Sequence, residues 1–503
     1  LDIDQPPYSL TIILIIFDKI LDPFMTATSQ QAPLNNKPDP INIPSKPQRI
    51  KLTQDIDFFA LFKRIEAAFD TCYMLESLGE ESHISRHHAI GFAPVMTITA
   101  TDRHTLAITQ NNADGTAGDT TQYATDNPYQ LLRDITPQHV IARNQTGGLV
   151  GYLGYDSVNF FEPSLEAKAS EDFEPFKFGV YLDGLTLDKM TGEIFYFYYP
   201  TETQGNRVEE IKALLDAPIP TYEAPYVEFL GDGMSREDHE AAVMQVKEDI
   251  IAGRIFQCEV GFKSRYQIKG DHMPIYEKLR EVNPSPHMYF MKFGQQRIIG
   301  ASPELLFRLR QGEMETYPLA GTARRGADEI EDRQLARALL NDAKEIAEHN
   351  MLVDLHRNDI GRVARFGTVK VRSLMDIKRY SHVQHISSEI VGILHPDHDM
   401  FSALASNFPA GTLSGAPKIE AIKIINELEP DGRGAYGGAL GSFNFNGDCI
   451  FAIPIRTLFI NGESAYAQTC GGNVYDSNPA DEYLEIQRKL SAMKVVLDSF
   501  MTD

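Results

Sequence analysis

Cysteine is scarce in this chain and tryptophan does not occur at all. The four cysteines, Cys72, Cys258, Cys449 and Cys470, show no C-x-x-C spacing. That excludes a paired-cysteine zinc site and a disulfide framework, and reads as a reduced, cytoplasmic protein. Positive charge is in deficit: 47 Lys and Arg stand against 70 Asp and Glu, a formal net charge of −23. Such a balance argues against nucleic acid and against an anionic membrane surface as partners. An anionic substrate stays open, provided a metal and local Arg or Lys reverse the field in its site. Long apolar runs are missing too. Leu10–Phe17 is far too short to span a bilayer. It also lacks the basic flank of a signal peptide, with Asp2 and Asp4 before it and Asp18 after it.

What remains is 503 residues of ordinary hydrophobic content, ample for one large core or two domains. The chain begins with Leu1, and Met25 opens a polar segment, so the expected natural start is Met25 and residues 1–45 read as a disordered lead-in. Residues 46–215 read as an N-terminal region of mixed pattern, mostly strands. Thr71–Ser77 is a strand ending in a polar pair. The glycines from Gly147 to Gly154 fit close packing of strand against helix rather than a dinucleotide fingerprint, whose spacing they lack. Val180–Leu187 and Glu193–Tyr199 read as a hairpin, and Arg207–Leu215 as a helix. Residues 216–234, rich in Pro, Tyr and Gly, read as a linker to a catalytic region at 235–503. Ser235 to Asp238 gives a capping-box start for a helix running to about Gly253. Ile255–Val260, Tyr289–Phe293 and Ile298–Leu309 read as extended segments.

Two helical stretches organise the second half. In 342–359, Glu345 and Glu348 share one face with Leu352. In 481–490, Glu482 and Glu485 do the same, with Ile486 and Met493 beside Glu482 and Lys489 at the flank. Glutamates three apart are ordinary on solvated helices. Carboxylates on an apolar face, however, need a cation or donor. Two such pairs suit a hard divalent ion with oxygen ligands, most naturally Mg²⁺.

Four motifs follow in order: Pro318-Leu-Ala-Gly-Thr, Ala347-Glu-His-Asn-Met-Leu-Val-Asp-Leu-His-Arg-Asn-Asp, Gly411-Thr-Leu-Ser-Gly-Ala-Pro-Lys and Asp481-Glu-Tyr-Leu-Glu. In this the chain resembles, from about residue 55 to 495, the anthranilate synthase large subunits of the chorismate-utilising family. The resemblance implies an α+β fold, with large, mainly antiparallel sheets in a sandwich-like core and helices outside. It makes Glu348 and Glu485 the principal Mg²⁺ ligands, with Glu345 and Glu482 acting through water or one step removed. Gly321 and Thr322 would donate to the ring carboxylate of chorismate. Tyr436, Arg456 and the Gly472 amide match positions that bind the enolpyruvyl carboxylate, and Lys489 matches a carboxylate-binding lysine; Thr412 and Gly471 complete the substrate-binding set. Glu304 matches the general acid for departure of the C4 hydroxyl as ammonia adds at C2. His385 matches the histidine tied to loss of pyruvate and aromatisation. Three departures stand out: Ala323 where arginine is common, Cys470 for the first glycine of a Gly-Ala-Gly turn, and Ile486 for a threonine.

Within the family, water-adding relatives carry a lysine base where this chain has Gln257, an amide that cannot take a proton. Relatives making 4-amino-4-deoxychorismate carry a nucleophilic lysine where this chain has Ala320, which closes the covalent lysine route. Anthranilate synthase is therefore favoured over an aminodeoxychorismate synthase component I, and over a non-catalytic chorismate- or tryptophan-binding regulator. No Cys–His–Glu glutaminase set is present, so ammonia from glutamine implies a separate amidotransferase subunit, in a heterotetramer of two large and two small chains. Leu75-Glu76-Ser77 resembles the element that binds inhibitory tryptophan, with its partner in Asn283 to Met288; Glu76 would meet the ammonium, Ser77 would add a hydroxyl, and Pro286, His287 and Met288 would form a wall. Absence of Trp suits an enzyme made when that product is scarce.

Overall fold

Near-continuous apolar strands dictate the architecture, because a strand buried on both faces has no polar side to alternate with. In His287–Phe293, Tyr289, Met291 and Phe293 enter one apolar cluster while Met288 and Phe290 enter another. The period of two thus sends each set to an opposite face. The computed structural model describes residues 37–43, 46–52, 56–78, 86–142, 146–201, 205–379 and 383–501. Contacts divide the chain into two units, 1–38 and 39–503, and the sheets and helices belong to the second.

Its strands form two 12-stranded antiparallel sheets. One runs from Gln48–Leu52 at one edge to Tyr226–Asp232 at the other; its centre is Thr71–Glu76, His287–Phe293, Gln296–Ser302 and Thr457–Asn461. The other runs from Leu319–Arg324 to Ala117–Ala124, with Leu305–Arg310, Cys449–Ala452, Ala439–Asn444 and Gly148–Leu153 at its centre. One apolar cluster joins residues of both sheets, among them Met291, Phe459, Phe178 and Phe443. The second packs the outer face of the first sheet against helices Phe58–Ala68, Met273–Val282 and Pro479–Asp498. This is the expected sandwich with helices outside.

Several readings change. Residues 216–234 supply the strand Tyr226–Asp232, paired with Gln257–Lys269. Both sheets join strands from either side of that stretch: Glu76 pairs with Met288, and Gly151 with Gly441. The boundary therefore marks no division of the core. Of the lead-in, residues 1–36, including Met25, lie outside the described residues; Ile41 is buried and its N–H donates to Ile135 O at 2.8 Å. The glycines of Gly148–Leu153 admit neighbouring strands, not a helix: a Cβ on Gly151 would stand 2.0 Å from Lys177 O. Val180–Leu187 is split, since Phe176–Tyr181 and Asp183–Asp188 lie in different sheets. The helix Arg236–Ile251 forms as expected, Ser235 Oγ accepting from Asp238 N at 3.1 Å. No helix among the described residues is long and apolar enough to cross a membrane.

Two crossovers matter most. The segment 298–309 is not one strand: Gln296–Ser302 ends in the first sheet, Pro303 and Glu304 bridge, and Leu305–Arg310 begins in the second. Proline lacks the N–H that a ladder needs, so it falls at the break. Ile453 to Arg456, with Pro454, bridges the sheets in the reverse direction. The bridges are tied together: Ile453 N donates to Glu304 O at 3.1 Å, and Ser302 Oγ to Ile453 O at 2.7 Å.

Candidate active site

A cavity of about 250 Å³ opens at these bridges, lined among others by Glu304, Arg456, Thr412, Tyr436, His385 and Gln257. Arg456 is held at φ 51°, a sparsely populated conformation for a residue with a side chain. Glu304 is 7% exposed, and its Oε1 accepts from Thr412 Oγ1 at 2.9 Å. Burial lifts its pKa to about 7; the Thr412 hydrogen bond opposes the rise and nearby Glu259 adds to it. The carboxyl thus keeps a proton into the neutral range. His385 Nδ1 lies 3.2 Å from Gly321 O and 3.0 Å from Thr322 Oγ1. A carbonyl only accepts, so Nδ1 carries the proton and Nε2 keeps its lone pair. Burial and the Arg456 charge lower the His385 pKa to about 4, leaving the ring neutral.

The carboxylate-bearing helices form as read. Ala343–Gly361 is capped by Asp342, which accepts from Lys344 N and Glu345 N, and seats itself through Leu352, Val353 and Ile360. Pro479–Asp498 is capped by Asn478 and buries Ile486, Leu490 and Met493. Glu348 and Glu485 line the cavity. Glu345 and Glu482 sit behind it: Glu345 Oε2 is 3.0 Å from where a Cβ on Gly321 would stand, and Glu482 Oε2 is 3.5 Å from the same point on Gly471. Gly321 takes φ 75° at a register shift between Ala320 and Thr322, which only glycine fits comfortably. Burial and neighbouring carboxylates raise Glu345, Glu348 and Glu482. Glu485 is lowered despite its burial, because Lys489 Nζ lies 2.9 Å from its Oε1. Among the described residues no three His, Cys, Asp or Glu side chains converge as a closed cage. Two carboxylates lining one cavity, Glu348 raised by burial and in part by Glu485, fit Mg²⁺, which keeps several waters and takes few direct ligands.

The glycine turn expected at 470–472 is instead the end of a regular strand, Ser464–Asn473, in which Cys470 pairs with Gly261 and Gly472 with Glu259. Cys470 therefore needs no left-handed conformation. A Cβ on Gly472 would stand 2.6 Å from Glu259 Oε1 and 2.7 Å from Gln257 Nε2, so glycine makes room for both. Tyr436 Oη donates to Cys470 Sγ at 3.2 Å. Lys489 Nζ donates to Cys470 O at 3.0 Å; burial opposes its charge, but Glu259 and Glu485 outweigh that and raise its pKa. Glu259 carries no motif of its own in the sequence. A signal is nevertheless there: it follows Gln257 by two, on the same face of one strand.

A second cavity, of about 480 Å³, is lined by Glu76, Ser77, Pro286, His287 and Met288, all five residues expected of the inhibitor site. Strand pairing brings them together, Glu76 opposite Met288. Ser77 Oγ is buried and has no hydrogen-bond partner among the described residues. Glu76 is already engaged: Tyr276 Oη and Arg280 Nε each donate to Oε1 at 2.7 Å. An incoming ammonium would share that carboxylate rather than find it free. Burial, with Arg308 nearby, lowers the His287 pKa to about 4.

Residues 48–495 match the family described as chorismate binding enzyme. The anthranilate synthase component 1 of Leptospira biflexa is 50% identical over 470 residues, spanning 91% of this chain and 97% of that protein. The anthranilate synthase component 1 of Methanothermobacter thermautotrophicus is 41% identical over 449 residues, 88% and 94% of the two chains. Among solved structures, the anthranilate synthase component I from Streptococcus pneumoniae TIGR4 matches with a TM-score of 0.70 at 30% identity, covering 83% of this chain and 93% of that one. Identity at this level over nearly the full length of both proteins places the chain in the chorismate binding enzyme family, on its anthranilate synthase component 1 branch.

Proposed function

We propose that this chain converts chorismate and ammonia to anthranilate and pyruvate, the committed step of tryptophan biosynthesis, in the cytoplasm. The observation that carries the reading is Glu304, a buried carboxyl with a pKa of about 7 in the same cavity wall as Arg456 and facing a site edged by Glu348 and Glu485. An acid that keeps its proton near neutrality suits protonation of a departing hydroxyl.

Each group has its own task. Arg456, Tyr436 and the Gly472 amide receive the enolpyruvyl carboxylate, the guanidinium in a bidentate pair that lysine could not reproduce. Gly321, Thr322 and Lys489 orient the ring carboxylate. Glu348 and Glu485, with Glu345 and Glu482 behind them, would hold Mg²⁺, which would supply charge neutralisation for that carboxylate. Glu304 protonates the C4 hydroxyl as ammonia bonds to C2, with Thr412 fixing the carboxyl. His385 Nε2 then accepts the ring proton as pyruvate departs and the ring aromatises. Burial first, and the Arg456 charge second, hold His385 neutral; a substrate carboxylate on Arg456 would offset only the second.

Gln257 and Ala320 both line the cavity, which supports ammonia as nucleophile over activated water or a covalent lysine. All four cysteines are buried and free, which supports ammonia supply by a separate glutamine amidotransferase subunit, in a heterotetramer. Tryptophan inhibition through the second cavity completes the reading.

The test is product identification. Purified chain is supplied with chorismate and Mg²⁺ and with either ammonium or glutamine. Fluorescent anthranilate with ammonium alone is expected. Activity with glutamine alone contradicts the separate amidotransferase, 4-amino-4-deoxychorismate points to the aminodeoxychorismate reading, and no turnover points to a regulator.

A further inference from the structure

Glu259 has no task in the steps above, yet it lines the same cavity. It and Gln257 lie two apart on the strand Gln257–Lys269, 6% and 2% exposed. Neutral donors hold its two oxygens: Gln257 Nε2 donates to Oε1 at 3.2 Å, and Cys470 Sγ to Oε2 at 3.3 Å. A carboxyl held by an amide and a thiol, with lone pairs to spare on each oxygen, can bind a further donor.

The amination needs a proton acceptor as well as an acid. As the C2–N bond forms, the nitrogen of ammonia becomes an ammonium centre, which must shed a proton to become an amine. Gln257, an amide, cannot take it. We propose that Glu259 is the general base of the amination, holding the incoming ammonia beside Gln257 and accepting its proton while Glu304 protonates the leaving hydroxyl. This rests on the reading that the chain aminates chorismate. The step balances. C2–N forms, C4–O breaks with migration of both ring double bonds, and the hydroxyl leaves as water. One proton passes from Glu304 to oxygen and one from nitrogen to Glu259, with no change of oxidation state, and the two carboxyls reset through solvent.

The surroundings are consistent with a base. Burial lifts the Glu259 pKa to about 7; Lys489 and the Cys470 hydrogen bond oppose the rise, and Glu348 and Glu485 add to it. Glu304 faces it from the inter-sheet bridge, and Arg433 bonds its backbone carbonyl at 2.8 Å. Two coupled carboxyls of similar pKa, one needed ionised and one protonated, give a bell-shaped profile whose limbs belong to the pair.

The experiment follows anthranilate formation from chorismate against pH, at constant free ammonia and saturating Mg²⁺, in wild type, Glu259→Gln and Glu259→Asp. Glu259→Gln should lose on the order of 100-fold in kcat, keep the chorismate KM within about twofold, and lose the acid limb near pH 7. Glu259→Asp keeps a carboxylate and should keep that limb at reduced rate, which holds the test open if the glutamine variant fails to fold. Wild-type kcat in Glu259→Gln, or a slowed variant of either kind whose pH behaviour contradicts this pattern, overturns the assignment. A wild type that makes no anthranilate overturns the amination reading and this proposal together; an active wild type with an indifferent Glu259→Gln overturns this proposal alone.

Discussion

A carboxyl buried to 7% exposure, with one hydroxyl donating to it, holds its proton as Glu304 does until pH approaches 7. Replacing it by Gln should lower kcat about 10²- to 10⁴-fold, the usual reach of general acid catalysis. Stability should move the other way. The folded pKa is raised from 4.5 to about 7, so the contribution is full below pH 4.5 and is lost as pH rises through 7. The wild type therefore loses up to about 3 kcal/mol across that window, and Glu304→Gln does not. Urea midpoints should coincide at pH 4.5 and favour the variant at pH 8; equal midpoints at both would mean that the carboxyl is not held neutral. Glu348→Gln and Glu485→Gln should each abolish turnover and raise the Mg²⁺ requirement, with thermal unfolding little changed because no cavity is opened. Near-normal rates in either would sink the metal assignment. The glutamates were legible because helix periodicity alone puts each pair on one face. Glu259 was not. Its place in the cavity depends on Gly472 of a neighbouring strand leaving room for it, a long-range fact.

Adjacent strands, far apart in sequence, build the second cavity. Thr71–Glu76 and His287–Phe293 pair antiparallel, and the polar end of one meets the turn that opens the other. Ser77→Phe puts a ring where a buried hydroxyl now stands, so it should relieve tryptophan inhibition while leaving most activity, since it lies outside the chorismate cavity. Dose–response curves for both proteins test this; equal inhibition of the two, or none of the wild type at millimolar tryptophan, rules the site out. At this scale the helices and their caps were readable from local chemistry, as Ser235 and Asp342 illustrate. The sheet switches at Pro303–Glu304 and Pro454–Arg456 were not. Proline signals a break in a strand, but it does not say that the chain resumes in another sheet.

Both sheets draw on both halves of the sequence, so residues 39–503 should unfold as one body. A fragment of residues 235–503 would leave Thr71–Glu76 and Gly148–Leu153 missing from the middle of their sheets, and with them much of the shared apolar cluster. It should be insoluble or inactive; a folded, active fragment would restore the boundary at 216–234. That boundary looked credible because proline, tyrosine and glycine mark turns as readily as they mark linkers, while the pairing of Glu76 with Met288, far away in sequence, leaves no local mark. The net charge of −23 has a consequence at the same scale: a dianionic substrate must enter against the field of the whole chain, which Arg456 and Lys489 in the cavity wall, with the proposed divalent ion, would reverse locally. The most direct test follows pyruvate and anthranilate together, from chorismate and ammonium, with Mg²⁺, with EDTA, and after Mg²⁺ is restored. The two products should appear in equal amounts, stop together under EDTA and resume together. Pyruvate without anthranilate, or turnover indifferent to EDTA, would contradict a single metal-dependent site that both aminates and eliminates.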